Sequence, residues 1–303
     1  MLGRRQIRAK VMQSLYAYYL SNNREEVVET YMKKGIDDIF ALYIHLLLLL
    51  LEIKKQAEQQ IEIRKNKYFA TEQDKEANRK FVNNKIFTIL ESNIQLKEYT
   101  EKNAQLKWTD ASHFPLKMLK ELQESSFYEA FMATETIDFK EDKEFFLEMY
   151  AEVIAPSDLL EEMVEEKNIH WADDLHIANS MVYATIESFR ENSKPDIKLL
   201  RVYKDEEDKE FALKLFKESI AREVELRKLV EKKSENWELD RIAFLDLVIL
   251  QMALCEILYF YEIPHKVSIN EYVELAKNYS TLKSKIFING ILDKIVKEIE
   301  NKN

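Results

Sequence analysis

The chain has 303 residues, a formal net charge of −10, and only three glycines and four prolines. Glycine supplies the positive φ angles of tight turns, hairpins and phosphate-binding loops, so this composition excludes sandwiches, barrels and doubly wound nucleotide-binding folds. The motifs GxGxxG and GxxxxGKS/T are absent, which removes support for dinucleotide and P-loop chemistry. Hydrophobic residues make up 46% of the chain, enough for a substantial core. These features predict an all-α protein.

The cysteine count and the hydropathy of the chain indicate the cellular compartment in which we expect the protein. Cys255 is the single cysteine, so no internal disulfide can form, and we expect a reducing, cytoplasmic environment. The opening MLGRRQIRAK carries charge but lacks the apolar segment of a secretory signal. The longest apolar run, residues 39–51, contains His45 and is shorter than the roughly 20 residues of a membrane span. We interpret this run as a buried helix and expect no membrane association.

The first predicted element is a helix over residues 4–20. Its apolar residues recur at helical spacing, at Ile7, Val11, Leu15 and Tyr18. Arg4 and Arg8 lie one turn apart and Arg5 lies beside them, at a helix end whose free N–H groups and dipole attract anions. This end of the helix is therefore either an anion-binding site or an ordinary solvated helix start.

The charge is distributed unevenly along the chain. Residues 1–20 carry four bases and no acid, whereas residues 205–303 carry 16 bases and 20 acids. The intervening residues 21–204 therefore carry a net charge of −10. The acidity is regional, and the N-terminus is a basic arm.

The middle of the chain, residues 21–204, is predicted to form further helices and to contain a repeat. We expect helices at about 36–66, 74–102, 115–131, 141–167 and 171–191. Residues 142–182 resemble residues 208–248 at a fixed offset of 66, with 15 identities in 41 positions. The aligned pairs include Asp142/Asp208, Phe145/Phe211, Leu160/Leu226, Val164/Val230 and Trp171/Trp237. This pattern predicts an ancient duplication of a helical hairpin.

The last third has the clearest helical pattern. A helix is expected from about residue 240 to 260, and Pro264 ends that region. Ser268 and Glu271 form a capping-box pattern that predicts a helix over about 269–279. A final helix over about 284–299 contains Gly290, which costs ~1 kcal/mol there relative to alanine. Either close helix packing or the close approach of a ligand to the backbone could explain this glycine.

No catalytic or metal-binding constellation is evident. The five histidines are scattered along the chain, at His45, His113, His170, His176 and His265. The motifs HExxH, CxxC and GxSxG are absent. We therefore expect no enzymatic activity, no metal and no cofactor.

Three ordered segments carry a resemblance to a known family. These are RRQIRAKVMQSLYAYYL at the start, the run LDLVILQMALCEI followed by IPHKVSINEYVELAK, and FINGILDK near the end. In order and spacing they resemble the NusB transcription antitermination family, over about residues 1–20 and 205–299. The resemblance implies an all-α fold of two small three-helix bundles built from residues 1–20 and 205–303. Residues 21–204 would then be an additional helical insertion domain.

The resemblance also implies a function. Members bind a single-stranded boxA element in nascent ribosomal RNA together with ribosomal protein NusE, within an RNA polymerase antitermination complex. The family's RNA-binding surface corresponds here to Arg4, Arg5, Arg8, Lys283, Lys285, Phe287 and Asn289. Cations contact phosphates, and an exposed aromatic such as Phe287 can stack on an unpaired base.

The partner-binding surface implied by the family includes Tyr16 and Asp246. Three of the expected site residues have an alternative interpretation. Phe287 could belong to the core of the last helix, Tyr16 could be a core aromatic, and Asp246 could simply face solvent.

Two other functions remain as alternatives. The overall acidity favours an acidic helical scaffold that binds proteins of the transcription or ribosome assembly machinery without binding RNA itself. An RNA methyltransferase with a NusB-like N-terminal domain is disfavoured, because no glycine-rich cofactor-binding loop follows the family-like segments.

Overall fold

The computed structural model describes residues 3–21, 23–68, 71–72, 77–108, 113–135, 138–233 and 242–301. Over these residues it contains fourteen α-helices and no strand, which confirms the expected all-α class. The chain divides into two compact units. Unit 1 comprises residues 1–36 and 203–303, and unit 2 comprises residues 37–202. The division thus falls after residue 36, within a helix, and not at the expected start of the insertion after residue 20.

The helices of the described residues follow one another in chain order. They are α1 (Arg4–Leu20), α2 (Glu25–Lys65), α3 (Lys85–Ser92), α4 (Ile94–Lys102), α5 (His113–Gln123), α6 (Ser126–Ala133), α7 (Phe139–Met149), α8 (Asp158–Lys167), α9 (Leu175–Ser188), α10 (Glu206–Ala221), α11 (Glu223–Lys233), α12 (Phe244–Tyr259), α13 (His265–Tyr279) and α14 (Leu282–Glu300). A π-helical turn at Tyr150–Ile154 follows α7, and 3₁₀ turns occupy Ala104–Leu106 and Ile169–Asp174.

Unit 1 is organised around α12. This helix contacts α1, α10, α11, α13 and α14, and the residues from Asp246 to Ile257 are all buried. It is apolar on every side, which is typical of a helix at the centre of a bundle. Its three polar positions, Asp246, Gln251 and Glu256, are buried as well. Buried polar groups need hydrogen-bond partners, so these positions mark where the core must supply specific polar contacts.

Unit 2 contains the long apolar run of residues 39–51. Within α2, Ile39, Leu42, Tyr43 and Leu46 are fully buried, as the interpretation of the run as a buried helix requires. In the parts of the chain that the structure describes, no helix is long and apolar enough to cross a membrane. The rest of unit 2 packs around α7, which contacts α3, α6 and α9.

The predicted helices differ from the observed ones mainly at internal breaks. Helix α1 has the predicted bounds, whereas the helix expected over 74–102 is interrupted at Asn93 and the one over 115–131 at Ser125. The Asn93 and Ser125 side chains accept hydrogen bonds from the backbone N–H groups of Leu96 and Tyr128. Each residue is therefore a helix N-cap that begins a new helix. Residues 74–76 lie outside the described residues.

The capping box predicted at Ser268 is wrong. Helix α13 begins at His265, directly after Pro264, so Ser268 lies inside the helix. Ser268 is fully buried, and its hydroxyl donates a 2.7 Å hydrogen bond to the Glu256 carboxylate. The Ser268 side chain therefore makes a tertiary hydrogen bond to Glu256 on another helix and does not cap the start of α13.

The two segments of the predicted repeat have the same order of helices. At the offset of 66 residues, α8 falls on α11, and the first helices of the two copies, α7 and α10, overlap. The paired residues Leu160 and Leu226 are fully buried, as are Val164 and Val230. Trp171 is buried in a 3₁₀ turn, whereas its counterpart Trp237 lies outside the described residues. The duplication itself stays a prediction.

Gly290 lies within α14 on its exposed side. A Cβ atom built on Gly290 would meet no atom within 4 Å, so close helix packing inside the described chain does not explain this glycine. That interpretation of Gly290 is wrong.

We predict that Gly290→Ala stabilises the folded protein by about 1 kcal/mol, because alanine loses less backbone entropy in a helix and meets no clash here. Urea unfolding followed by circular dichroism measures the change. Gly35→Ala is the matched control, since Gly35 is also helical with free space around its Cβ position. Destabilisation by Gly290→Ala alone would contradict the prediction.

His45 is fully buried in unit 2, where its ring stacks on Trp108 at a centroid distance of 4.2 Å. Its Nδ1 lies 2.6 Å from the carbonyl oxygen of Leu106, so Nδ1–H donates to that oxygen and the ring is neutral. Burial lowers the pKa of His45 to about 3. Unfolded His45 binds a proton below about pH 6.5 that the folded ring does not, so the stability contributed at this site falls as the pH drops from about 6.5 toward 3.

We predict that the imidazole NMR resonances of His45 stay unchanged from about pH 8 to about pH 5, because the buried ring remains neutral. The same resonances in the urea-unfolded chain are the control, because unfolded His45 takes up a proton near pH 6.5. A change of the His45 resonances of the folded protein over this range would contradict the burial of the ring.

Candidate functional site

The most buried charged pair of unit 1 joins α1 to α12. The Arg8 guanidinium donates two hydrogen bonds to the Glu256 carboxylate, from Nε at 2.8 Å and from Nη2 at 2.6 Å. The hydroxyls of Ser268 and Tyr272 on α13 donate to the same carboxylate at 2.7 and 3.0 Å. Glu256 is fully buried and Arg8 is 2% exposed. Four hydrogen bonds from two other helices therefore satisfy one buried acid.

The surroundings of Arg8 favour its charged form. Burial by itself lowers the pKa of Arg8, but its hydrogen bonds to Glu256 and its electrostatic interactions with Tyr272, Glu256 and Glu271 together more than offset this, and the pKa is raised above its ordinary value. Burial also raises the pKa of Tyr272 well above its ordinary value, so its phenol stays protonated and donates. Arg8 was expected on the RNA-binding surface. The structure instead holds its guanidinium in an ion pair with Glu256 and leaves the side chain only 3% exposed, so Arg8 offers an RNA phosphate almost no surface.

Arg4 and Arg5 lie on the same helix end but remain partly open to solvent. The Nε of Arg4 donates to Asp208 at 2.9 Å, and Arg5 makes two hydrogen bonds to Glu271 at 2.9 and 2.8 Å. Their side chains are 36% and 45% exposed. The hydrogen bonds from Arg5 lower the pKa of Glu271. Both arginines can meet a phosphate at their outer edges while their acidic partners hold them in position.

These arginines border a shallow depression of about 530 Å³ at the start of α1. Its lining also includes Pro264 and Val267 from the loop and first turn that lead into α13. Two acids, Glu262 and Glu271, line it as well. The depression therefore mixes cationic, apolar and acidic groups.

The start of α14 holds the second group of predicted RNA-binding residues. Lys283 and Asn289 are exposed and Lys285 is half-buried. Neither lysine forms an ion pair within the described residues. Asn289 lies 3.3 Å from Asp293, to which its amide donates. No hydrogen bond or ion pair among the described residues links this group to the arginines of α1.

Phe287 was expected to offer an exposed ring for base stacking. It is 8% exposed, on the side of α14 that also buries Ile288 and Ile291. A base cannot stack on a ring that is covered in this way, so the alternative interpretation of Phe287 as a core residue is correct.

Asp246 was expected to contact a protein partner. It is 4% exposed, and the Ser280 hydroxyl donates to its carboxylate at 2.6 Å. Ser280 follows the end of α13, and its hydroxyl is also 3.0 Å from that of Ser284 at the start of α14. Asp246 therefore fixes the joint between α13 and α14 and does not present its carboxylate to a partner.

Tyr16 is the predicted partner residue that does reach the surface. It is 37% exposed, and its ring lies 5.4 Å from that of Phe244 at the start of α12. One turn further along α1, Leu20 is 62% exposed. Sequence reasoning missed Leu20, although its spacing of four residues from Tyr16 places it on the same helix face.

The C-terminal part of the chain is similar to proteins of one family. The NusB family profile matches residues 174–297. A transcription antitermination protein NusB from Clostridium tetani is 37% identical over 145 residues, which cover 46% of this chain and 92% of that relative. The chain belongs to the NusB family.

Other NusB-family relatives match more closely over shorter lengths. The Salinibacter ruber protein of the same name is 42% identical over 105 residues, covering 34% of this chain and 66% of the relative. The Natranaerobius thermophilus protein is 54% identical over 70 residues, which cover 23% of this chain and 50% of that relative. The chain thus spans about half to two thirds of the length of these two relatives. No solved structure matches the chain.

The NusB family is non-enzymatic, which agrees with the expectation that this chain is not an enzyme. The family match ends at residue 297 and lies mostly in unit 1. Unit 1 has 24 basic and 23 acidic residues, whereas unit 2 has 21 basic and 32 acidic residues. Unit 1 is therefore close to neutral and unit 2 is strongly acidic.

We predict that Arg8→Ala lowers the free energy of unfolding of unit 1 by about 3–5 kcal/mol, because Glu256 would keep its buried charge without a cation. Urea unfolding measures this loss. Arg5→Ala is the matched control, and removal of its exposed ion pair should cost less than about 1 kcal/mol. Equal small losses in both variants would contradict a structural role for Arg8.

Proposed function

We propose that this chain is a transcription antitermination factor that binds boxA-type single-stranded RNA together with ribosomal protein NusE during ribosomal RNA transcription. Membership of the NusB family supports this proposal, because the relatives are named transcription antitermination proteins. The RNA-binding surface would lie on unit 1, and the acidic unit 2 would take no part in it.

The RNA-binding part of this proposal rests on the exposure of positively charged side chains at the starts of two helices. At the start of α1, Arg4 and Arg5 are partly exposed. At the start of α14, Lys283 is exposed and Lys285 is half-buried. Helix N-termini favour phosphates through their free N–H groups and dipole. Together with Asn289 these four residues form the proposed RNA surface, from which Arg8 and Phe287 are excluded by their burial.

The exposed side of α1 supports binding of a protein partner. Tyr16 and Leu20 form an exposed apolar pair on one helix face, and the Tyr16 ring lies 5.4 Å from that of Phe244. Tyrosine is enriched at protein interfaces because its large ring is apolar and its hydroxyl can still hydrogen-bond. We propose this pair as the NusE-binding surface, without a contribution from Asp246.

Fluorescence anisotropy with a labelled boxA-type RNA, with and without NusE and at several salt concentrations, tests the proposal. We predict salt-sensitive binding, and we predict that Lys283→Ala with Lys285→Ala weakens it. Loss of two phosphate contacts should flatten the slope of log K against log salt by about 1.4.

Lys97→Ala with Lys102→Ala is the matched control, because it removes two exposed lysines from α4 in unit 2. This variant should keep both the affinity and the salt slope of the parent chain. An unchanged slope in the Lys283 and Lys285 variant would move the RNA surface elsewhere.

A second candidate function is an acidic scaffold that binds basic proteins without binding RNA. The excess of eleven acids over bases in unit 2 favours it. Binding of NusE with no salt-sensitive RNA binding under any of these conditions would support the scaffold and overturn the RNA proposal.

A further inference from the structure

Helix α14 exposes two aliphatic side chains and a glycine in one line. Leu282, Ile286 and Gly290 follow one another at intervals of four residues, so they lie on one face of the helix. Leu282 is 76% exposed and Ile286 is 75% exposed. We call these three residues the α14 stripe.

Nothing within the described chain accounts for the α14 stripe. Helix α14 already buries its opposite side through Ile288, Ile291 and Leu292, so the stripe adds nothing to the core. A Cβ atom on Gly290 would meet no atom within 4 Å, so the glycine is not needed for internal packing. An exposed glycine in a helix leaves the backbone accessible to a molecule that lies against it.

The charges around the stripe favour a polyanion. Leu282 and Lys283 lie in the first turn of α14, a 19-residue helix whose N-terminal end carries positive partial charge. Lys283 and Lys285 lie next to the stripe and form no ion pair in the described part of the chain. A peptide rich in acidic residues would satisfy the lysines. Single-stranded nucleic acid satisfies both features, because it alternates phosphates with planar, weakly polar bases.

We infer that the α14 stripe is a platform for an unpaired base of single-stranded RNA. This inference rests on the proposed function and deepens it, since the stripe would supply the apolar surface for a base that the buried Phe287 cannot supply. The base would lie against the Leu282 and Ile286 side chains, and its ribose would approach the backbone at Gly290. Phosphates on either side would meet Lys283 and Lys285.

Anisotropy titration of Ile286→Ser in the full chain with a labelled boxA-type RNA tests the platform. We expect affinity to fall roughly five- to tenfold, because an apolar surface that covers a base is lost. The salt slope should not change, since Ile286 contacts no phosphate. Val224→Ser is the matched control, because Val224 is an aliphatic residue of unit 1 with a similar exposure of 67%. Its affinity should equal that of the parent chain.

Gly290→Ala provides a second variant that cannot fail by unfolding, since the added methyl group favours the helix. We expect it to raise the urea midpoint and to weaken RNA binding severalfold, because the methyl group holds the ribose away from the backbone. Greater stability combined with weaker binding is a result that a purely structural glycine would not produce.

The outcomes separate the platform from the proposed function. Salt-sensitive RNA binding by the parent chain with unchanged affinity in Ile286→Ser and Gly290→Ala would overturn the platform alone. Absence of RNA binding by the parent chain would overturn the proposed function and the platform together. Loss of NusE binding in both variants with RNA affinity unchanged would assign the stripe to a protein partner and would also overturn the inference.

Discussion

The buried ion pair between Arg8 and Glu256 is the interaction on which unit 1 depends. It joins residues 248 positions apart in the sequence and thereby fixes α1 against α12. Ser268 and Tyr272 extend the same cluster to α13. Because a buried carboxylate without its cation is strongly unfavourable, the N-terminal helix and the C-terminal helices must assemble together. All four side chains of this cluster lie on α1, α12 and α13, so the long segment between α1 and α10 contributes none of them.

The depth of each side chain below the surface then decides its role. On α1, Arg8 reaches the core, while Arg4 and Arg5 stay at the surface, each held by an acid. On α14 the same division separates Phe287 from Ile286, neighbours in sequence that face opposite environments. The segments that resemble the family therefore contain core residues as well as surface residues, and only the surface residues can contact RNA or a partner.

Unit 2 shows how one helical pattern can carry different chemistry. Asp142 and Asp208 occupy equivalent, buried positions in the two segments of the predicted repeat. Asp208 pairs with Arg4, whereas Asp142 accepts a hydrogen bond from the backbone N–H of Lys85. The same offset places Arg190 opposite Glu256, and within the described residues the Arg190 guanidinium donates only to the backbone carbonyls of residues 187–189. The cluster that organises unit 1 therefore has no counterpart at this position of unit 2.

The amino-acid sequence was enough to establish the all-α class, the bounds of α1, the burial of residues 39–51 and the membership of a family, because helical periodicity and ordered motifs are local properties of the chain. It also identified Gly290 as unusual, because this residue is one of only three glycines and lies inside a predicted helix. The packing of the helices was needed to show that Arg8, Asp246 and Phe287 are buried, that Ser268 bonds to Glu256, and that Leu20 and Ile286 are exposed. Spacing along a helix shows which residues share a face. Which face is covered depends on helices that fold against it from distant parts of the chain.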